Sequence, residues 1–185
     1  MTAEIIERAK KVKLLLMDCD GVLTDGKLYF SEQGESLKVF HVRDGQGLVM
    51  WHQAGFQSGI ISGRNSEIVK TRATELGMHY IRIGSLNKTK DFEDILQIAK
   101  VSPEEVAFVG DDIPDICVME KVGFPITVAD GVLEVIPFSI YKTLNKGGLG
   151  AVREAVNLLL DCKEQGFPIK IQSSTNTRKM KIELF

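Results

Sequence analysis

The chain has 185 residues, of which 44% are hydrophobic, and a formal net charge of −2 at pH 7. That length suits one domain with a sizeable core, and the near-neutral balance excludes a disordered chain or one built around a polyanion such as nucleic acid. No apolar run approaches the ~20 residues of a membrane span, and three cysteines (Cys19, Cys117, Cys162) without CxxC spacing give neither a disulfide framework nor a zinc site, so a cytoplasmic protein is expected.

In chain order, residues 3–11 read as a short helix and 12–18 as a strand. The run Leu14-Leu15-Leu16-Met17 is apolar at every position, which marks a strand buried on both faces, and it ends in Asp18-Cys19-Asp20-Gly21. Residues 26–42 hold two extended runs, Lys27 to Phe30 and Leu37 to Val42, around a turn-rich Ser31 to Glu35, the pattern of a β-hairpin. Leu28, Phe30, Leu37 and Val39 share one face, while Tyr29, Phe40 and Val42 make the other partly apolar too. A hairpin projecting from a monomer should not be apolar on both sides, so it is expected to pack against another subunit.

From Arg43 onward helix and strand alternate. Asp44 can cap a helix reaching about Ala54, where Trp51 falls in the core, and Ser58 to Ser62 is a strand. Asn65 can cap the next helix, which stops at Gly77, and His79 to Ile83 is the third strand. A helix then carries Phe92, Ile95, Leu96 and Ala99. Ser102-Pro103-Glu104-Glu105 is a helix-start signature, Val106 to Val109 a strand, and a helix is predicted from Pro114 to about Val122. Phe124 to Val128 reads as a strand, residues 132–136 as a short helical turn, 140–143 as extended chain and Ala151 to Cys162 as a helix. Residues 163–185 form a largely polar tail. The alternation implies an α/β fold, a Rossmann-like three-layer sandwich with a mostly parallel sheet and a projecting hairpin.

In such a sheet the polar groups that follow the strands gather at one edge: Asp18 and Asp20, Ser62 and Arg64, Asn87 and Lys88, then Asp111, Asp112 and Asp115. So many converging carboxylates repel one another unless some are protonated or a cation sits among them, and an oxygen-only donor set suits Mg²⁺. A cation, a hydroxyl and a lysine together describe a phosphoryl site. Asp18 is the candidate nucleophile, forming an aspartyl-phosphate, and Asp20, two residues along, the acid that protonates the leaving oxygen. Ser62 would donate to a phosphoryl oxygen, Lys88 would neutralise charge in the transition state, and Asp111 would hold the metal. Asp112 and Asp115 are either caps or supports for a ligand. Arg43 and Arg64 taken alone are more often surface salt-bridge partners. Taken singly, each has a local explanation: strand-terminal turns for the aspartates, helix caps for Ser62 and Asn65, surface pairing for the arginines and a solvated first-turn position for Lys88.

Together, Asp18 to Thr24, Ile61-Ser62-Gly63-Arg64, Asn87-Lys88 and Gly110 to Asp115 resemble the four motifs of the haloacid dehalogenase superfamily of phosphatases. Val42 to Gly45, Ser62 to Arg64 and Gly147 to Glu154 are further similar to the capless 3-deoxy-D-manno-octulosonate 8-phosphate phosphatases. The resemblance implies a Mg²⁺-dependent phosphatase acting on a small sugar-acid phosphate, and a homotetramer assembled through its β-hairpins. The substrate-binding set is then Arg43, Ser62, Gly63, Arg64 and Lys88. The metal set is Asp18, Asp111 and Asp20, the last through its backbone carbonyl.

Two other classes compete. A signalling receiver domain also forms an aspartyl-phosphate, but here the Gly-Asp-Asp cluster follows the lysine and the first strand carries an alternating Asp-x-Asp. A catalytically silent assembly module is opposed by the intact Asp18 and Asp20. Within the phosphatase reading, a nine-carbon 2-keto-3-deoxy sugar acid phosphate is the alternative substrate, and Arg64 favours the eight-carbon acid by resemblance.

Overall fold

A computed structural model describes residues 2–163. Helix α1 (Ala3–Lys11) leads into strand β1 (Leu14–Met17), and a two-stranded antiparallel hairpin follows, β2 (Tyr29–Ser31) and β3 (Gly34–Leu37). The chain continues through α2 (Val42–Gln53), β4 (Gln57–Ser62), α3 (Glu67–Glu75), β5 (Tyr80–Ile83), α4 (Lys88–Ala99) and β6 (Val106–Gly110). It ends with α5 (Ile116–Met119), β7 (Phe124–Thr127), β8 (Tyr141–Lys142) and α6 (Ala151–Cys162). Six strands form one parallel sheet in the order β5-β4-β1-β6-β7-β8.

The all-apolar β1 is central because helices cover both of its faces. Leu15 and Met17 join Ala107, Val109, Leu48, Trp51, Val69, Ala155 and Leu159 in one core, under α1, α2, α3 and α6. Leu14 and Leu16 join Val106, Phe108, Phe92, Ile95 and Val118 in the other, under α4 and α5. Trp51 is fully buried, as expected, and its indole N–H is satisfied by Gln57 O at 2.7 Å. After β1 the chain builds outward through β4 and β5, then returns to β1's other side as β6. That reversal opens a crevice beyond the C-terminal ends of β1 and β6.

Four local expectations are corrected. The second hairpin strand is Gly34–Leu37, not 37–42: a bulge disrupts the register after Tyr29, and beyond Leu37 the chain turns inward to bury Lys38. Helix α2 begins at Val42 and is capped by His41, whose Nδ1 accepts from Arg43 N at 3.2 Å, so Asp44 is left free for another partner. Ser66, not Asn65, caps α3, accepting from Val69 N at 3.3 Å. The helix predicted from Pro114 to Val122 is a 3-10 turn over Ile113–Asp115 and the single turn α5. Helix α6 spans the predicted residues. The tail expectation, save for Lys163, lies outside the described residues.

Candidate active site

The first motif loop begins inside the sheet. Asp18 N donates to Val109 O at 3.0 Å, which fixes its backbone between β1 and β6. The loop then tightens on one acceptor: Val22, Leu23 and Thr24 N all donate to Cys19 O, at 3.2, 2.9 and 3.1 Å. Gly21 adopts φ +90°, and a Cβ there would lie 2.0 Å from Asp111 Oδ2, so a glycine is what lets the two acidic loops meet. Gly147 presses on the same loop from the other side, since its Cβ would fall 1.7 Å from Gly21 O, while Gly148 N donates to Val22 O at 2.9 Å.

Carboxylate oxygens of Asp18, Asp111 and Asp115 lie within 4.8 Å of one another. Lys88, in the first turn of α4, reaches into this group and donates to Asp18 Oδ1 at 2.8 Å and Asp115 Oδ1 at 2.7 Å. The other oxygen of Asp115 accepts from Asp111 N at 2.9 Å and Asp112 N at 3.3 Å, so Asp115 is occupied on both sides. Asp111 Oδ1 is buried without a hydrogen-bond partner among the described residues. Burial, then the neighbouring Asp115, Asp18 and Asp112, push the Asp111 carboxyl up to about 8. Burial also pushes Asp18 up to about 6, with Lys88 opposing it. Burial alone would lower the Lys88 pKa, but Asp18 and Asp115 outweigh it and raise the ammonium above its usual range.

Asp20 points elsewhere. Its Oδ1 accepts from Lys38, which also pairs with Glu35 at 3.2 Å, and Arg64 Nε lies 3.6 Å from its Oδ2. Ser62 Oγ, at the end of β4, accepts from Arg64 N at 3.3 Å. A cleft of about 150 Å³ is lined by Asp18, Asp20, Ser62, Gly63, Arg64, Lys88, Asp112, Pro114 and Asp115. The structure thus brings together most of the residues singled out from sequence, with Asp111 beside them under Gly21. Asp112 is a cap, its Oδ1 accepting from Ile113 N at 2.7 Å. Arg43 is exposed at the start of α2 and does not line the cleft.

Three features escaped the sequence reading. Lys38 and Glu35 come from the hairpin, where an i, i+3 charged pair gives no sign of facing a site. Asp44 accepts from Gly150 N at 3.2 Å and Arg153 N at 2.8 Å, capping α6 rather than its own helix. Glu154 ties down the loop before α6, accepting from Leu144 N at 2.8 Å and Asn145 N at 2.9 Å. The Gly147 to Glu154 motif was the available signal, but its task in bracing the Asp18 to Thr24 loop shows only in three dimensions.

The arrangement fits a divalent cation on its own terms: clustered carboxylates, no nitrogen or sulfur donor in the set, and a buried carboxylate oxygen with no hydrogen-bond partner among the described residues. Residues 41–123 match the haloacid dehalogenase-like hydrolase family. The chain is 43% identical over 160 residues to the 3-deoxy-D-manno-octulosonate 8-phosphate phosphatase KdsC of Escherichia coli strain K12, which covers 86% of this chain and 85% of that protein. The corresponding Yersinia pestis crystal structure superposes with a TM-score of 0.87 at 38% identity, covering 89% of each chain. The Moraxella catarrhalis enzyme, solved in complex with magnesium ion, phosphate ion and a KDO molecule, gives 0.86 at 36% identity and covers 89% of this chain and 95% of that one. With relatives this similar along nearly its whole described length, the chain belongs to the haloacid dehalogenase-like hydrolases and, within them, to the family of the 3-deoxy-D-manno-octulosonate 8-phosphate phosphatases.

Proposed function

We propose that this chain is a Mg²⁺-dependent phosphatase that hydrolyses 3-deoxy-D-manno-octulosonate 8-phosphate to the free sugar acid and phosphate. The observation that carries the reading is the meeting of Asp18, Asp111, Asp115 and Lys88 at one sheet edge, with Asp20 two residues from Asp18. Asp18, Asp111 and the Asp20 carbonyl would hold the cation, which supplies charge neutralisation between carboxylates and phosphoryl oxygens. A relative's structure holding magnesium, phosphate and KDO supports both cofactor and substrate class.

An Asp18 carboxylate oxygen attacks phosphorus while the bond from phosphorus to the sugar oxygen breaks, and Asp20 gives its proton to that oxygen. Water then attacks the aspartyl-phosphate, Asp20 takes the water's proton, and phosphate leaves with Asp18 restored. Lys88 keeps Asp18 ionised and oriented, then offsets charge on the equatorial oxygens. Ser62 donates its hydroxyl to a phosphoryl oxygen, and Gly63 lets the substrate approach the backbone. Arg64 meets the substrate carboxylate, as does Arg43 if supplied by a neighbouring subunit.

The expected assembly is a cytoplasmic homotetramer joined through the hairpins, where Leu28, Phe30 and Leu37 are exposed, with Val39 and Val42 exposed in the chain that follows. No described helix is long and apolar enough to cross a membrane. Phosphate release measured on eight- and nine-carbon keto-acid phosphates, with and without chelator, tests the reading. Turnover independent of metal, or an unimpaired Asp18→Asn variant, would sink the mechanism. Absence of activity on every sugar acid would sink the substrate class, and preference for the nine-carbon substrate would move the assignment to that acid.

A further inference from the structure

Asp20 must present one carboxyl oxygen to the leaving group and keep it there, yet it sits in a loop. Nothing in the first motif restrains its side chain: the loop's backbone bonds converge on Cys19 O. The restraint comes from the hairpin. Lys38 is 6% exposed as a residue and its side chain only 1%, and it is not among the residues that line the cleft. Its ammonium bonds Asp20 Oδ1 and pairs with Glu35 Oε1 at 3.2 Å. Glu35 Oε2 in turn accepts from the Ser66 hydroxyl, the cap of α3 just beyond the Ser62-Gly63-Arg64 loop. Asp20 Oδ2 has no hydrogen-bond partner among the described residues, and Arg64 Nε lies 3.6 Å from it.

A buried ammonium with two carboxylate partners is costly to desolvate, and its geometry is correspondingly fixed. Oδ1 is committed to Lys38, so the oxygen left to hold and deliver a proton is Oδ2. The chain Asp20, Lys38, Glu35, Ser66 also ties the first motif loop to the second, so proton donor and phosphate-binding hydroxyl keep one spacing. We propose that Lys38 is a positioning residue that, through the Glu35 and Ser66 relay, fixes the Asp20 carboxyl as the proton donor to the leaving group. This rests on the phosphatase reading above and on Asp20 as its acid.

Leaving-group dependence separates positioning from general damage. An alkoxide leaving group needs the proton from Asp20, whereas p-nitrophenolate departs without one. The holoenzyme with Mg²⁺ is assayed on 3-deoxy-D-manno-octulosonate 8-phosphate and on p-nitrophenyl phosphate, with thermal melts of each variant. Lys38→Met should lower kcat on the sugar phosphate by roughly 10- to 100-fold, with KM little changed, and on the aryl phosphate by no more than about 3-fold. Lys38→Arg should recover part of the sugar-phosphate rate. If Lys38→Met does not fold, Glu35→Gln should show the same selective loss at smaller size. Equal losses on both substrates, or none, overturn the proposal. Asp20→Asn serves as the reference: if it shows no leaving-group selectivity, the assignment of Asp20 as acid fails. If Asp20→Asn is selective and the Lys38 and Glu35 variants are not, only the positioning role fails.

Discussion

Replacing Asp44 with alanine tests how the catalytic loop is braced, because Asp44 joins two distant parts of the chain. Its carboxylate is 1% exposed and accepts from Gly150 N at 3.2 Å and Arg153 N at 2.8 Å, where α6 begins. Alanine leaves both amides without an acceptor, and an unmet buried donor costs about 1–3 kcal/mol. The bond from Arg153 N is only part-buried, so the loss should total about 2–4 kcal/mol, larger than that of an ordinary exposed cap. For a domain of this size that lowers Tm by roughly 4–16 °C. Asp44→Asn keeps one acceptor oxygen and should lose about half as much. Burial raises the Asp44 carboxyl above its ordinary pKa, so the folded state binds more proton than the unfolded. That contribution is present at low pH and is lost as pH rises through the folded value, so the advantage of the native protein over Asp44→Asn should shrink as pH is raised from about 4. Denaturant melts of the three proteins across that range measure both effects. An alanine variant within about 0.5 kcal/mol of the native protein, the ordinary range for inconsequential surface changes, would refute the bracing role.

Three further outcomes are expected. Asp18→Asn should lower phosphate release by roughly a thousandfold or more while the fold persists, checked by turnover and circular dichroism. Chelation should abolish turnover, and restoring Mg²⁺ to about 100 times its dissociation constant should raise stability by about 2.7 kcal/mol in calorimetric melts. Gly147→Ala places a methyl against Gly21 O and should cost at least about 1–3 kcal/mol. Its activity should fall further than its stability implies, because the displaced loop carries Asp20.

The mostly parallel sheet and its acidic edge were legible because their signals are local. Four consecutive apolar residues ending in Asp-x-Asp say both that a strand is buried and where its chemistry lies, and Lys88 stood out because a cation opposes a helix N-terminus. What was hidden depends on partners far along the chain. Asp44 has the right chemistry for a cap and lies near the start of a helix, yet it serves a helix beginning 106 residues later at Gly150. Asn65 and Ser66 are both competent caps, and only the path out of β4 chooses between them. Lys38 reads as a polar position on a hairpin until the strand ends early and turns it inward. The close carboxylate set also pairs Asp115 with Asp18 and Asp111, because Asp20 is drawn away to Lys38.

That displacement divides the site by charge. On the hairpin side, Asp20 and Glu35 face Lys38, with Arg64 beside them, so two acidic and two basic side chains meet. On the β6 side, Asp18, Asp111 and Asp115 face Lys88 alone, which leaves two negative charges unmatched. Without a cation the imbalance is relieved by raising the Asp111 pKa to about 8, so that a proton resides there at neutral pH. A divalent cation held by Asp18 and Asp111 would meet the same deficit. In the mechanism proposed above, the hairpin half would orient the Asp20 carboxyl, while the β6 half would hold the cation beside Asp18. The loop that follows β1 carries both acids and divides the two tasks.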